Sequence, residues 1–154
     1  MKTLDEWMRE YAVSHCNPIN QIIHKICVPL IMFSLLGLMW LIPTPELFSQ
    51  FKFMNWSSIF GLFCLVFYAR LSLKMFFGML LMIIPMYLAI IYLSLNLPEL
   101  LLNIMIVIFI CSWILQIIGH KIEGKKPSFL KDLSFLLIGP LWVLKSLYNK
   151  LGIN

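Results

Sequence analysis

The sequence predicts an all-α protein, a polytopic membrane helix bundle with about four transmembrane helices, an N-terminal interfacial helix and a C-terminal interfacial or re-entrant helix. Three observations carry this. The 154 residues are 61% hydrophobic and 12% charged, whereas a soluble domain carries about 25% charged residues. Mean hydropathy is +0.91, and apolar runs recur along the whole length, as one membrane-embedded domain over 1–154 requires. Lys and Arg gather beside those runs, where the positive-inside rule puts them. That distribution accounts for the net charge of +5, so membrane lipids are expected as partners and nucleic acid is not.

The first element is an interfacial helix over 3–16. Thr3-x-x-Glu6 has the form of a capping box, and Leu4, Trp7, Met8, Tyr11, Ala12 and His15 follow at helical spacing. Its apolar side is expected at the headgroup boundary, with Lys2, Asp5, Glu6, Arg9 and Glu10 in water. The acidic residues argue against a secretory signal, so this segment is expected to stay in the mature protein. Asn17-Pro18 ends the pattern and starts a new helix, with Asn17 as its cap. That helix, a span over about 18–42, carries Asn20 and His24 on one face and is expected to kink at Pro29. A loop follows from Pro43 to Asn55, containing Lys52.

The next apolar core, Ser57 to Ala69, is about 20 Å long as a helix, too short for a hydrocarbon core of about 30 Å. Extension to about 53–73, with Arg70 snorkelling, brings it to spanning length. Further spans are read over about 75–95 and 100–119, joined by the tight turn Asn96-Leu97-Pro98-Glu99. A cytoplasmic segment over 120–132 precedes a C-terminal helix over 133–150. Its apolar stretch, Leu133 to Leu144, is short and broken by Gly139-Pro140, hence interfacial or re-entrant; a fifth span is the alternative. Phe76, Phe77, Met79, Met82, Met86 and Tyr87 are read as packing residues rather than as the lining of a ligand cavity. The cysteines at 16, 27, 64 and 111 show no CxxC pairing and are read as free thiols.

In the flanks of the spans, nine Lys and Arg lie on one side and one, Lys52, on the other. The N-terminus is therefore expected in the cytoplasm, with the membrane either a bacterial inner membrane or the endoplasmic reticulum. Charge and hydropathy fixed that topology without reference to histidine. Yet it places His15, His24 and His120, all three histidines of the chain, at cytoplasmic segment ends. Trp113, Gln116, His120 and Glu123 form one ridge of a helix. Neutral imidazole ligates iron, zinc and copper, and three histidines leave positions open for oxygen or water. Asn17, Asn20 and Gln116 are candidates to orient the imidazoles, and Glu123 is either a fourth ligand or another such support. Interfacial histidines that only bond headgroups or cap helices are the competing reading, since no HExxH motif is present.

His15-x-Asn17-Pro18-x-Asn20-x-x-x-His24 with Pro29, Gln116-x-x-Gly119-His120-x-x-Glu123-Gly124-x-x-Pro127 and Gly139-Pro140 together resemble the Mpo1-like family, from about Trp7 to Leu144. Cys27 and Ser128 depart modestly from its pattern. The resemblance implies a membrane Fe(II)-dependent dioxygenase that uses O2 to shorten a 2-hydroxy fatty acid by one carbon, a step of fatty acid α-oxidation. It also implies that His15, His24 and His120 hold the iron and that Glu123 belongs to the catalytic set. Lys25 and Lys121 are candidates to attract the substrate carboxylate, although topology and anionic lipid explain them as well. Two other functions compete. One is a zinc-dependent membrane hydrolase acting on lipids, with Glu123 as general base; the other is a non-catalytic membrane scaffold or lipid-binding protein.

Overall fold

The computed structural model describes residues 2–51, 54–130 and 132–153. Six α-helices, and no strand among the described residues, make up the chain: α1 (Leu4–Ala12), α2 (Pro18–Trp40), α3 (Trp56–Leu71), α4 (Leu73–Asn96), α5 (Pro98–Glu123) and α6 (Phe135–Lys150). Short 3-10 turns fall at Glu46–Gln50 and Ser128–Leu130. The helices α2, α4 and α5 are long and apolar enough to cross a membrane, and α3 is a shorter apolar helix. This is a membrane protein with the all-helical class its composition predicts.

Helix ends follow local chemistry. The Thr3 side chain accepts from the Glu6 N–H while Glu6 accepts from the Thr3 N–H, a complete capping box. α1 stops at Ala12, short of the predicted 16, because the chain must turn before Asn17 caps the next helix. The Asn17 side chain accepts from the N–H groups of Ile19 and Asn20, with Pro18 at the first helical position. His15 thus lies in the turn rather than on α1. α3 starts at Trp56 under an Asn55–Ser58 capping box and is about 24 Å long at 1.5 Å per residue. The predicted start of this span at Phe53, and Lys52 in the loop before it, lie outside the described residues. α5 runs past the predicted 119 to Glu123 and ends at Gly124, whose φ of 72° supplies the left-handed cap.

Two expectations are corrected. The apolar side of α1 is covered by protein rather than headgroups: Trp7, Met8 and Tyr11 are buried, with the Trp7 ring edge-on to Phe135 of α6 at 5.1 Å between centroids. Furthermore, α6 runs unbroken through Gly139-Pro140. A helical proline forfeits one backbone bond, and here both residues are buried, with Gly139 leaving room for the Tyr11 hydroxyl and Val28.

The core has two parts. One joins α1, α3, α4 and α6 around Tyr68, Met79, Ile138 and Leu141; the other joins α2, α4 and α5 around Leu36, Ile90, Leu101 and Met105. α2 and α5 make the most extensive helix pair. At Gly119 a β-carbon would collide with Asn20 Oδ1, so glycine at this position is what lets the two backbones approach.

Candidate metal centre

Three elements bring the histidines together. His24 sits on α2, His120 on the last turn of α5, and His15 on the turn between α1 and α2. All three are buried, at 2%, 1% and 6% exposure for His15, His24 and His120. One ring nitrogen from each lies within 4.8 Å of the others, a grouping able to hold a metal ion.

His15 has the clearest geometry. Its Nδ1 lies 2.6 Å from the Tyr11 carbonyl, and a carbonyl can only accept, so Nδ1 carries the proton and Nε2 keeps its lone pair. Nε2 is buried without a partner among the described residues. Burial pushes the imidazole down to about 4, against the opposing pull of the Tyr11 carbonyl, and the ring is neutral near pH 7. A ligating histidine needs this state, with a backbone carbonyl orienting the ring from behind. The Tyr11 ring stacks on the imidazole at 4.0 Å and 9°, and Trp142 flanks it at 5.5 Å.

The Nε2 atoms of His24 and His120 face each other at 3.2 Å. Two nitrogens each about 2.1 Å from a shared cation stand about 3.0 Å apart at a right angle and about 3.4 Å apart at the tetrahedral angle. The observed spacing lies between them. Among the described residues, His15 Nε2 and the Nδ1 atoms of both rings are buried without a partner, and an unsatisfied buried polar group costs roughly 1–3 kcal/mol. A divalent cation fits the donor set of the three rings, and His15 Nε2 is the orphaned atom it would satisfy.

Glu123 does something other than join the cluster. Its Oε1 accepts from the Cys16 N–H at 2.8 Å, and its Oε2 accepts from the Asn17 N–H at 2.8 Å and the Asn20 side-chain amide at 3.1 Å. These bonds fasten the turn that carries His15 to the end of α5. Asn20 also donates to the Ser14 carbonyl, and its Oδ1 has no partner. Lys125 donates to the Val13 carbonyl at 2.6 Å, and Ser14 pairs with Ser128 at 2.6 Å. Gln116 is buried one turn before His120 and faces the same cavity.

Lys25 and Lys121, the candidates to attract a carboxylate, lie elsewhere. Lys25 stands 5.6 Å over the Trp142 ring in a polar cleft with Arg9 and Lys145, and Lys121 is exposed. An apolar cavity of about 430 Å³ opens from His15 and His120 and continues between α2, α3, α5 and α6. None of the α4 residues weighed as cavity lining borders it. Sequence alone assigns no site role to Tyr11, Ser128 or Trp142. Only Tyr11 carried a signal, its spacing of four from His15.

A family model described as 2-hydroxy-palmitic acid dioxygenase Mpo1-like matches residues 1–151. No curated protein and no solved structure matches the chain.

Proposed function

The chain belongs to the Mpo1-like family, and from that premise we propose that it is an Fe(II)-dependent dioxygenase that shortens 2-hydroxy fatty acids by one carbon. The observation that carries the reading is the convergence of three buried imidazoles with unpartnered nitrogens. His15, His24 and His120 would hold the iron. Three neutral nitrogen donors leave coordination positions open, as O2-activating iron sites require. Bound Fe(II) supplies the redox chemistry with O2 that cleavage of the bond between C1 and C2 needs.

The protein's own part is placement. The Tyr11 carbonyl fixes the His15 tautomer, Glu123 holds the His15 turn, and Gly119 lets α2 and α5 bring His24 to His120. Phe135 and Trp142 surround Tyr11 and help shield the cluster from water. A fatty acid keeps its head at the interface, so a centre at the helix ends meets the reacting carbons without moving charge through hydrocarbon. We place that centre and the N-terminus on the cytoplasmic side, from the nine-to-one distribution of Lys and Arg. Lys25 acts from across Trp142 as a long-range attractor of the carboxylate, not as a contact. The hydrolase reading loses support, because the oxygens of its general base, Glu123, are engaged by N–H donors.

The test supplies purified protein with Fe(II), O2 and a 2-hydroxy fatty acid. The expected product is the acid one carbon shorter. Its absence with iron demonstrably bound refutes the reaction, and zinc rather than iron in the purified protein favours the hydrolase.

A further inference from the structure

The cavity has a length as well as a volume. On α5 its wall runs from His120 to Phe109, eleven positions or about 16 Å at 1.5 Å per residue, and on α2 from Val28 to Leu35, seven positions or about 10 Å. Below that level the space is filled. Leu36, Ile90, Leu101 and Met105 form a buried cluster against which Phe60, at the cavity's far end, also packs. Met105 lies one turn beyond Phe109, and its thioether fills the position that a β-carbon on Gly37 would need. The side of the cavity is open: α3 and α5 each pack on α2 but not extensively on each other, and Phe63 lines the cavity while 61% exposed.

We propose that this cavity is an acyl-chain ruler entered sideways from the bilayer between α3 and α5. One unbranched chain lies along α2 and α5 with its head at the histidines. The floor formed by Met105 and Leu36, with Leu35 and Phe109 above it, sets the longest chain accepted. An extended chain advances about 1.2 Å per bond, as in an extended polypeptide, so 16 Å takes about 13 bonds. With two carbons at the centre, the limit is about 16 carbons. A depth of about 16 Å is also about half of a 30 Å hydrocarbon core. The chain thus stays in one leaflet and its charged head never leaves the interface. The inference rests on the dioxygenase reading for the identity of the head, not for the chain.

The experiment uses the full chain in lipid nanodiscs. Saturated 2-hydroxy acids of about 10 to about 20 carbons compete with a tritiated 2-hydroxy acid, and each buried methylene is expected to tighten binding about fourfold. That gain stops near 16 carbons in the native protein. Met105→Ala removes the floor by one turn and moves the break about four carbons longer, while Met32→Trp fills the cavity one turn early and moves it about four carbons shorter. A steady gain with no break, as in protein-free nanodiscs, overturns the ruler. So does a break that neither variant moves. Turnover of the same samples with Fe(II) and O2 separates the two readings. A break without shortened acid leaves the ruler and refutes the reaction; shortened acid at every length with no break does the reverse.

Discussion

Replacing Glu123 by Gln separates a clamp from a ligand. The carboxylate receives three N–H bonds, from Cys16, Asn17 and Asn20, and bonds to a charged acceptor contribute about 1.5–3 kcal/mol each. Glutamine keeps one carbonyl oxygen and turns an amide NH2 toward a backbone N–H, losing at least one bond and the charge. Glu123 is only half-buried, so solvent screening reduces the loss. A net cost of about 2 kcal/mol to the docked turn is about 30-fold in its equilibrium. His15 reaches His24 and His120 only when that turn is docked, so metal affinity falls by up to the same factor, within the roughly 10–100-fold range for partners behind metal ligands. Anaerobic Fe(II) titration against a chelator, with Co(II) as a spectroscopic substitute, measures it. Glu123→Gln as metal-free as His15→Ala makes Glu123 a ligand and refutes the clamp; an unchanged affinity refutes it from the other side.

Four further outcomes are expected. Alanine at His15, His24 or His120 singly abolishes stoichiometric iron while the protein still inserts, and metal analysis showing full iron in any variant removes that residue from the ligand set. Gly119→Ala drives a methyl into Asn20 Oδ1, a side chain pinned through its amide to Ser14 and Glu123. The overpacking costs about 1–3 kcal/mol of stability, and Asn20→Ala in the same chain recovers part of it; strict additivity in the thermal-unfolding cycle contradicts the contact. Glu6 is held below its ordinary 4.5 by the Thr3 N–H and hydroxyl. A lowered folded-state value contributes stability above about pH 4.5 that is lost as pH falls through the lowered value, so the protection of α1 amides against hydrogen exchange, taken relative to their intrinsic rates, falls under acid. Glu6→Gln shows the lower protection already at pH 7, and identical protection in both proteins argues against the capping role. Trp7→Ala deletes the ring that docks α1 on Phe135 and costs about 3–5 kcal/mol at that contact. It weakens metal binding without touching the centre, and electron spin-echo spectra of bound Cu(II) should lose one coordinated imidazole; three retained imidazoles would show that α1 is not what presents His15.

Much of this was legible because the informative residues are the rare ones. In a chain this apolar, a polar side chain at a span end has few roles, and charge counting places all three histidines on one side before any contact is known. The Thr3 and Asn17 caps were equally legible, since their chemistry is complete within four residues. Glu123 was half legible. Its spacing from His120 sets the helix face, but the direction of the carboxylate depends on the turn at 15–17, which is distant in sequence and supplies the N–H donors. The partner of α1 could not be read, because an amphipathic face is satisfied by a bilayer or by α6 alike. The cavity was invisible for a related reason. When a helix is apolar all round, periodicity no longer separates inward from outward faces, so Leu35 and Phe109 look like their lipid-facing neighbours. The α4 aromatic and methionine residues drew attention only by their type, and the cavity avoids them.

The three histidines are not held alike. His24 and His120 belong to the most extensive helix pair of the bundle, and their spacing follows from how closely α2 and α5 pack at Gly119. His15 belongs to a turn whose place depends on Glu123, Lys125, the Ser14–Ser128 pair and the docking of α1 on α6. The first two histidines therefore form a standing pair, and the third completes the centre from a separately fastened arm. The cavity opens beside that arm, since His15 and Ser128 both border it. A chain seated in the cavity presses on the same turn that presents His15, so filling the tail site and completing the ligand set draw on one set of contacts. Metal and acyl chain should accordingly alter each other's binding, and by linkage the two effects must be equal.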